Sequence, residues 1–327
     1  MLQRRSLVAG MGAFIAQLNT IGLARAESAD EFPSKPVRII VPYTAGGAGD
    51  LIVRLLAKEL QQKWGQPVIT ENKPGAAGNI GYQYVAGAPA DGYTLVFAIT
   101  ALIQNVSLYP TLPFDPFKDF APVSLLATTP VAFVVSASSG IATMTQYIEH
   151  AHSSKKLAYG SFGAGTSSHI YGEQLKEVAK LDLVHAPYRG ESALIPDVIS
   201  GVVSGGFVSV ATATTMSRAG RVNVLGVTGP TRSNALPAVP TMKELGLLGF
   251  DATGWFALLA PSATPKAIVS KISTDVVAAL KGPALIQQTA DLGLDVRGSS
   301  SEALASLMRS DFLIWNRLIK ERNIKVD

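Results

Sequence analysis

The 327-residue sequence contains no cysteine. That absence rules out disulfides, thiolate metal centres, a cysteine nucleophile and a lipidated N-terminal cysteine. Charge is scarce too, at 16% of residues against 47% hydrophobic, so a large buried core must hold the fold. Beyond the N-terminal region, no stretch approaches the roughly 20 continuous apolar residues of a membrane span, so stable membrane insertion is not expected. No basic patch calls for nucleic acid. The four histidines, His150, His152, His169 and His185, form no cluster of metal-ligand spacing with acids, so no metal and no cofactor is expected. At roughly 100–200 residues per domain, the length favours two domains.

What is present begins with residues 1–26. Arg4 and Arg5 form a basic start, Leu7 to Leu23 is a short apolar stretch, and Ala24-Arg25-Ala26 has the small-x-small pattern of a cleavage site. This order reads as a signal peptide removed before Glu27, which places the mature protein outside the cytoplasm. Arg4, Arg5 and Arg25 leave with it, so the mature balance falls to 25 basic against 24 acidic residues. The charge therefore points to no polyanionic partner.

Apolar strands then alternate with amphipathic helices. Val37–Pro42, Val68–Thr70 and Thr94–Ala98 read as strands around helices at 51–64 and Asn79–Ala88, a βαβαβ order that predicts a doubly wound parallel sheet. Residues 99–122 break the rhythm with Pro110, Pro113, Pro116 and Pro122, and read as a crossover. Strands at Val131–Ser136, Leu157–Gly160, Leu183–Ala186, Phe207–Val210 and Asn223–Val227 follow, with helices at 143–152, Ser167–Ala179 and Ser192–Ser200 between them. Thr241 with Glu244 predicts a capped short helix, Thr264-Pro265 a helix start with Thr264 as N-cap, and Ser299 with Glu302 the cap of the last helix. The fold class is α/β.

Three glycine-rich loops each join a strand to a helix: Tyr43-Thr44-Ala45-Gly46-Gly47-Ala48-Gly49-Asp50, Asn72-Lys73-Pro74-Gly75-Ala76-Ala77-Gly78-Asn79, and residues 160–169. Glycine at a helix start lets backbone N–H groups converge, and the helix dipole adds about half a positive charge, so such loops bind anions without Lys or Arg. Nucleotide motifs fail on spacing. Gly47-Ala48-Gly49 lacks a glycine at Ile52, and Gly163-Ala164-Gly165 lacks one at Ser168. Gly190-Glu191-Ser192-Ala193-Leu194 misses the last glycine of a nucleophile elbow. No residue is assigned a catalytic role. Two alternatives stay open: a sensor that reports a ligand to a signalling partner, and an exported hydrolase or transferase using Ser161 or Ser192 beside His169 or His185.

The segments Lys35-Pro36-Val37-Arg38-Ile39-Ile40-Val41-Pro42, Ala45-Gly46-Gly47-Ala48-Gly49-Asp50, Glu71-Asn72-Lys73-Pro74-Gly75-Ala76-Ala77-Gly78-Asn79, Asp91-Gly92-Tyr93-Thr94-Leu95, Gly165-Thr166-Ser167-Ser168-His169 and Pro187-Tyr188-Arg189-Gly190 form an ordered series. Leu236-Pro237-Ala238-Val239-Pro240-Thr241 and Ala260-Pro261-Ser262-Ala263-Thr264-Pro265 continue it. This series resembles the periplasmic receptors of tripartite tricarboxylate transporters, the Bug receptors. The resemblance implies a monomeric, two-lobed Venus flytrap. Lobe one would be 27–100 plus 224–327, and lobe two 101–223. It further implies capture of a small carboxylate and its delivery to inner-membrane transporter subunits.

By the same resemblance the ligand carboxylate meets Tyr43, Thr44, Ala45, Gly46, Gly47 and Asp50 of the first loop and Ala76, Ala77 and Gly78 of the second. Ser161, Gly165, Thr166, Ser167, His169 and Tyr188 supply selectivity, and Phe162, a departure from the family, is a candidate apolar wall. Where relatives that hold amino acids carry an acid to pair with the ligand ammonium, this chain has Val208. Val208 is therefore expected at the ligand, and a ligand without an ammonium is expected to be favoured.

Overall fold

The computed structural model describes residues 31–154, 156–290 and 293–325. The signal peptide expected at 1–26 lies outside them. Strands β1 (Val37–Val41), β2 (Val68–Asn72), β3 (Thr94–Ile99), β4 (Phe120–Thr129), β10 (Gly254–Pro261) and β11 (Asp295–Val296) form one six-stranded sheet, ordered β11-β4-β10-β3-β1-β2. Strands β5 (Val131–Ser136), β6 (Leu157–Ser161), β7 (Leu183–Pro187), β8 (Gly205–Ser209) and β9 (Val222–Val227) form a second, ordered β7-β6-β8-β5-β9. The helices are α1 (Ala48–Trp64), α2 (Asn79–Ala86), α3 (Ala101–Leu108), α4 (Met144–Ser153), α5 (Ser167–Val178), α6 (Glu191–Ser200), α7 (Val210–Arg218), α8 (Lys266–Ala279), α9 (Pro283–Ala290) and α10 (Ser301–Glu321).

Local sequence explains the elements. Val37, Ile39, Ile40 and Val41 are all fully buried, as a strand covered on both faces requires. Helix α1 turns Ile52, Val53, Leu56 and Leu60 inward at helical spacing. It stops at Gly65, whose left-handed backbone lets its N–H reach the Gln61 carbonyl at 3.0 Å. Thr143 and Gln146 form the expected capping box of α4.

The sheets are mixed rather than parallel. β1 runs parallel to β2 and β3, as the βαβαβ reading requires, but β10 is antiparallel to both β3 and β4. In the second sheet β6 is parallel to β7 and β8, while β5 is antiparallel to β8 and β9. The segment 99–122 is not a plain crossover, because it contains α3 and the start of β4. Strand β4 belongs to the first sheet and β9 to the second. The chain therefore changes sheets at Pro130 and again over 228–253, rather than near 100 and 223. The two passages lie side by side. Thr228 N–H donates to the Val131 carbonyl at 2.9 Å, and Val131 N–H donates to the Thr228 hydroxyl at 3.1 Å.

Three other expectations shift. Thr241 and Glu244 exchange both capping hydrogen bonds, but only a turn follows. Pro265, not Thr264, is the N-cap of α8, and the buried Thr264 hydroxyl has no partner. Ser300 caps α10 through Ala303 N–H, one residue later than expected, while the Ser299 hydroxyl accepts from Leu125 N–H.

Helix α10 ties the halves together. Its Trp315 packs on Tyr171 of α5 at 5.1 Å between ring centroids, and Tyr171 stacks on Phe250 at 5.2 Å. Among the described residues, no helix is long and apolar enough to cross a membrane.

Candidate functional site

A cavity of about 520 Å³ lies where the two sheets face each other. That size suits a small organic ligand. Ala48 and Ala77 reach it from the first two glycine loops, and Phe162, Gly165, Thr166 and Ser167 from the third. Among the described residues, none that lines it is charged.

Its polarity comes from uncharged side chains, Gln104 among them, and from backbone. The first residues of four helices line it: Ala48 of α1 and Ala101 of α3 from one half, Ser167 of α5 and Val210 of α7 from the other. A helix leaves its first N–H groups without intrahelical partners, and these concentrate positive charge. In α1 the first intrahelical donor is Leu51, to the Gly47 carbonyl, and Gly47 has no side chain to cap with. In α5 it is Ile170, to Thr166, whose hydroxyl is turned away to the Gly163 carbonyl at 2.7 Å. The Thr100 hydroxyl before α3 instead accepts from Trp255 N–H at 2.7 Å. Only α7 is capped by its own side chain, Ser209. Three uncapped helix starts and one capped one, whose Ser209 also donates to the Glu191 carboxylate behind it, thus converge on a cavity with no charged residue in its described lining. Chemically, that arrangement suits an anion and opposes a cation.

The first loop is held by a buried carboxylate. Asp50 is 4% exposed and accepts from Gly46 N–H at 3.0 Å, from Arg54 at 2.9 and 3.0 Å, and from Asn72 at 2.9 Å. Burial alone pushes its pKa up, but Arg54, Gly46 and Asn72 outweigh burial and hold it at about 2. All its partners are internal, so Asp50 shapes the loop while the exposed Thr44, Ala45, Gly46 and Gly47 carry the surface. Tyr43 lies beneath, its hydroxyl 3.1 Å from that of Tyr82 and donating to the Ala77 carbonyl at 3.4 Å.

The second loop is strained. Gly75, Ala76, Ala77 and Gly78 all have positive φ, at 135°, 47°, 52° and 93°. For the two alanines this costs roughly 1–2 kcal/mol each. A side chain at Gly78 would lie 2.8 Å from the Tyr43 hydroxyl, so only glycine fits. Asn105 stabilises the turn by donating to the Ala77 carbonyl at 3.3 Å and to Asn79 Oδ1 at 2.8 Å.

The third loop is held by neutral groups. Ser161 is fully buried, with Oγ 2.7 Å from His185 Nε2. His169 Nδ1 accepts from Gly165 N–H at 3.0 Å, and the two imidazoles stack at 3.8 Å. Burial lowers the pKa of His169; burial and the neighbouring His169 bring His185 down to about 4. Both rings are therefore neutral at pH 7.

These placements differ from several expectations: of the residues expected in the first two loops only Ala77 lines the cavity, while Tyr43, Thr44, Ala45, Gly46, Gly47, Asp50, Ala76 and Gly78 do not. Val208 does not face the cavity. It is fully buried in β8, the middle strand of its sheet, and packs with Ala132, Leu194 and Val203. Ser161 and His169 support the loop from behind, as their hydrogen bonds show, and line no part of the cavity. Tyr188 also lies off the cavity, its hydroxyl donating to Asp197 at 2.6 Å. Phe162 does face it. The Ser161–His185 pair superficially resembles a nucleophile and base, but its serine is closed to solvent and to the cavity. Ser192 is on an exposed helix start, and no histidine bonds it among the described residues.

Sequence reasoning missed the wall formed by α3 and by Gly254, Trp255 and Phe256 of β10. The signal for α3 was Thr100 ahead of the apolar Ala101-Leu102-Ile103. For β10 it was the apolar run between Gly254 and Pro261.

Comparison with known proteins agrees with this geometry. The model of the tripartite tricarboxylate transporter family receptors, TctC, matches residues 52–324. A "UPF0065 protein in tcbD-tcbE intergenic region" of Pseudomonas sp. (strain P51) is 36% identical over 326 residues, 99% of this chain and 96% of that protein. The solved structure of the periplasmic binding protein BugD is 29% identical, with TM-score 0.76, over 90% of this chain and 100% of BugD. R. palustris Rpa4515, solved with adipate, is 29% identical with TM-score 0.79 over 90% of this chain and 100% of its own. The family and these neighbours are ligand-binding receptors rather than enzymes. The chain belongs to the receptor family of the tripartite tricarboxylate transporters.

Proposed function

We propose that the chain captures a small carboxylate lacking an ammonium group, in the cavity between its two sheets, and passes it to a membrane transporter. The observation that carries this reading is the convergence of four helix N-termini on a cavity with no charged side chain among its described lining residues. A carboxylate gains N–H donors there, whereas an ammonium finds no carboxylate among the described lining residues. That argument replaces the one from Val208, which lies in the core. Rpa4515 with adipate supports the ligand class.

In this reading residues 31–129 with 254–325 form lobe one and 130–253 form lobe two, following sheet membership. The paired passages at Pro130 and Thr228 act as the hinge. Closure removes the ligand from water, and a ligand that binds the closed form better shifts the population towards it. Residues 1–26 direct export to the periplasm, where the closed receptor, as a monomer, meets its transporter. A thermal-shift screen of the mature chain tests the ligand class. A ligand specific for the folded state stabilises by about 2.7 kcal/mol at one hundred times Kd. Shifts with carboxylates but not with their amino counterparts are expected. Shifts confined to amino acids would overturn the reading.

A further inference from the structure

We infer that Gln104 reads a second, uncharged oxygen on the ligand, a carbonyl or hydroxyl carried on an apolar body a few atoms from the carboxylate. This rests on the carboxylate reading of the cavity and sharpens it. Gln104 lies on α3, is only 3% exposed and forms part of the cavity wall. Among the described residues its Nε2 has no hydrogen-bond partner. Buried amide donors are nearly always satisfied, so one left without an acceptor beside a ligand cavity calls for an explanation.

The neighbouring amide provides the contrast. Asn105, one residue on and equally buried, spends its Nδ2 on Ala77 and Asn79 and so shapes the second loop. Gln104 takes part in no such support. Leu108, one helical turn further along the same face, continues the wall as apolar surface, and Trp255 and Phe256 add aromatic surface from β10.

Position sets the ligand's shape. At 1.5 Å per residue, Gln104 lies about 4.5 Å along the helix axis from Ala101, whose N–H belongs to the anion-binding end. An acceptor oxygen that satisfies Gln104 therefore sits several bonds from the carboxylate, with apolar atoms between. The lack of charge among the described wall residues favours a neutral acceptor at this position over a second ionised group.

The test uses matched acids differing by one oxygen, hexanoate and 5-oxohexanoate, with adipate as a control, titrated calorimetrically into the mature chain. The wild type is expected to bind 5-oxohexanoate about tenfold more tightly than hexanoate, because a site built to hydrogen-bond an oxygen penalises the analogue lacking it. Gln104→Met, of similar length and without an amide, is expected to bring the ratio to about one while leaving the fold intact. Gln104→Leu, which has no donor in any protonation state, is expected to lose the preference as well, and serves if the methionine variant folds poorly. Equal binding of the two acids by the wild type, or a preference that survives both substitutions, would overturn the inference. Adipate binding with neither monoacid binding would also overturn it while sparing the carboxylate reading. Failure of all three acids would remove both.

Discussion

The first and third glycine loops occupy equivalent places in the two halves, each between a strand and a helix that starts at the cavity, yet they are secured by opposite chemistry. The first is fastened by a buried, ionised Asp50 with Arg54 and Asn72. The third is fastened by Ser161 and two stacked neutral imidazoles, His169 and His185. In both cases the side chains fix the loop through one of its own N–H groups, Gly46 to Asp50 and Gly165 to His169. The charge of Asp50 thus serves the loop's shape, and in the proposed function the ligand's charge would be met by peptide dipoles. Such an arrangement keeps donors fixed in direction before the ligand arrives, which limits the ordering cost of binding.

Breaking the charged fastening should have the largest effect. Asp50→Ala removes the acceptor for Gly46, Arg54 and Asn72 together. A loss of about 3 kcal/mol in unfolding free energy is expected, at the low end for a broken buried pair because Arg54 is half exposed. Carboxylate affinity should fall with it, measured by calorimetry beside denaturant melts. The linked pH dependence has a fixed sign. Because the folded-state pKa is depressed, to about 2 from 3.8, the stabilisation is present above 3.8 and is lost as pH falls towards 2.

Asp311 sharpens the contrast, since it is buried like Asp50 but poorly partnered. It is 6% exposed and accepts one side-chain hydrogen bond, from Trp255 Nε1 at 3.1 Å. Burial raises its pKa to about 6, only partly offset by Trp255. Here the sign reverses. The raised folded-state pKa stabilises below 3.8, and that contribution is lost as pH rises through about 6. Asp311→Asn is expected to stabilise the protein by about 2 kcal/mol at pH 8 and to change little at pH 4, read from thermal melts at both values. Equal effects at the two pH values would contradict this assignment.

Much of the architecture was legible in the sequence, for physical reasons that differ by element. The buried runs Val37–Val41 and Val131–Ser136, the Gly65 stop and the Thr143–Gln146 box are local patterns, and local patterns survive folding. Strand β4 was hidden because Pro122 sits inside it, where its missing N–H argues against a strand; the register shifts along β10 accommodate it. Sheet membership was illegible, because pairing β4 with β10 is a contact between distant segments. Within the site, the glycine loops were visible from composition and spacing. The inward direction of Val208 was not, because a strand covered on both faces carries no alternation to reveal which side meets the ligand. Gln104 and Trp255 were missed with the elements that carry them.

Smaller effects probe the neutral fastening. His185→Gln keeps a partner for Ser161 while removing the imidazole, and should cost about 1 kcal/mol at pH 7. Because the His185 pKa is lowered, to about 4 from 6.5, the wild type loses stability as pH falls across that window, and the variant should lose less. Thermal melts from pH 7 to pH 4 make the comparison. Phe162→Ala should have the least effect on folding, since Phe162 is only partly buried, and should weaken a ligand with an apolar body by about tenfold at most. Matched titrations of adipate against both proteins would give the ratio.

The claim beneath all of these is that peptide dipoles, in a cavity without charged side chains, select a carboxylate and reject an ammonium. Adipate and 2-aminoadipate differ by that ammonium alone, so their dissociation constants for the mature protein, measured side by side at pH 7, test it most directly. Adipate is expected to bind at least about tenfold more tightly, as a buried charge left without a partner requires. Equal or tighter binding of 2-aminoadipate would contradict it, and would mean that the ammonium finds an acceptor in the cleft.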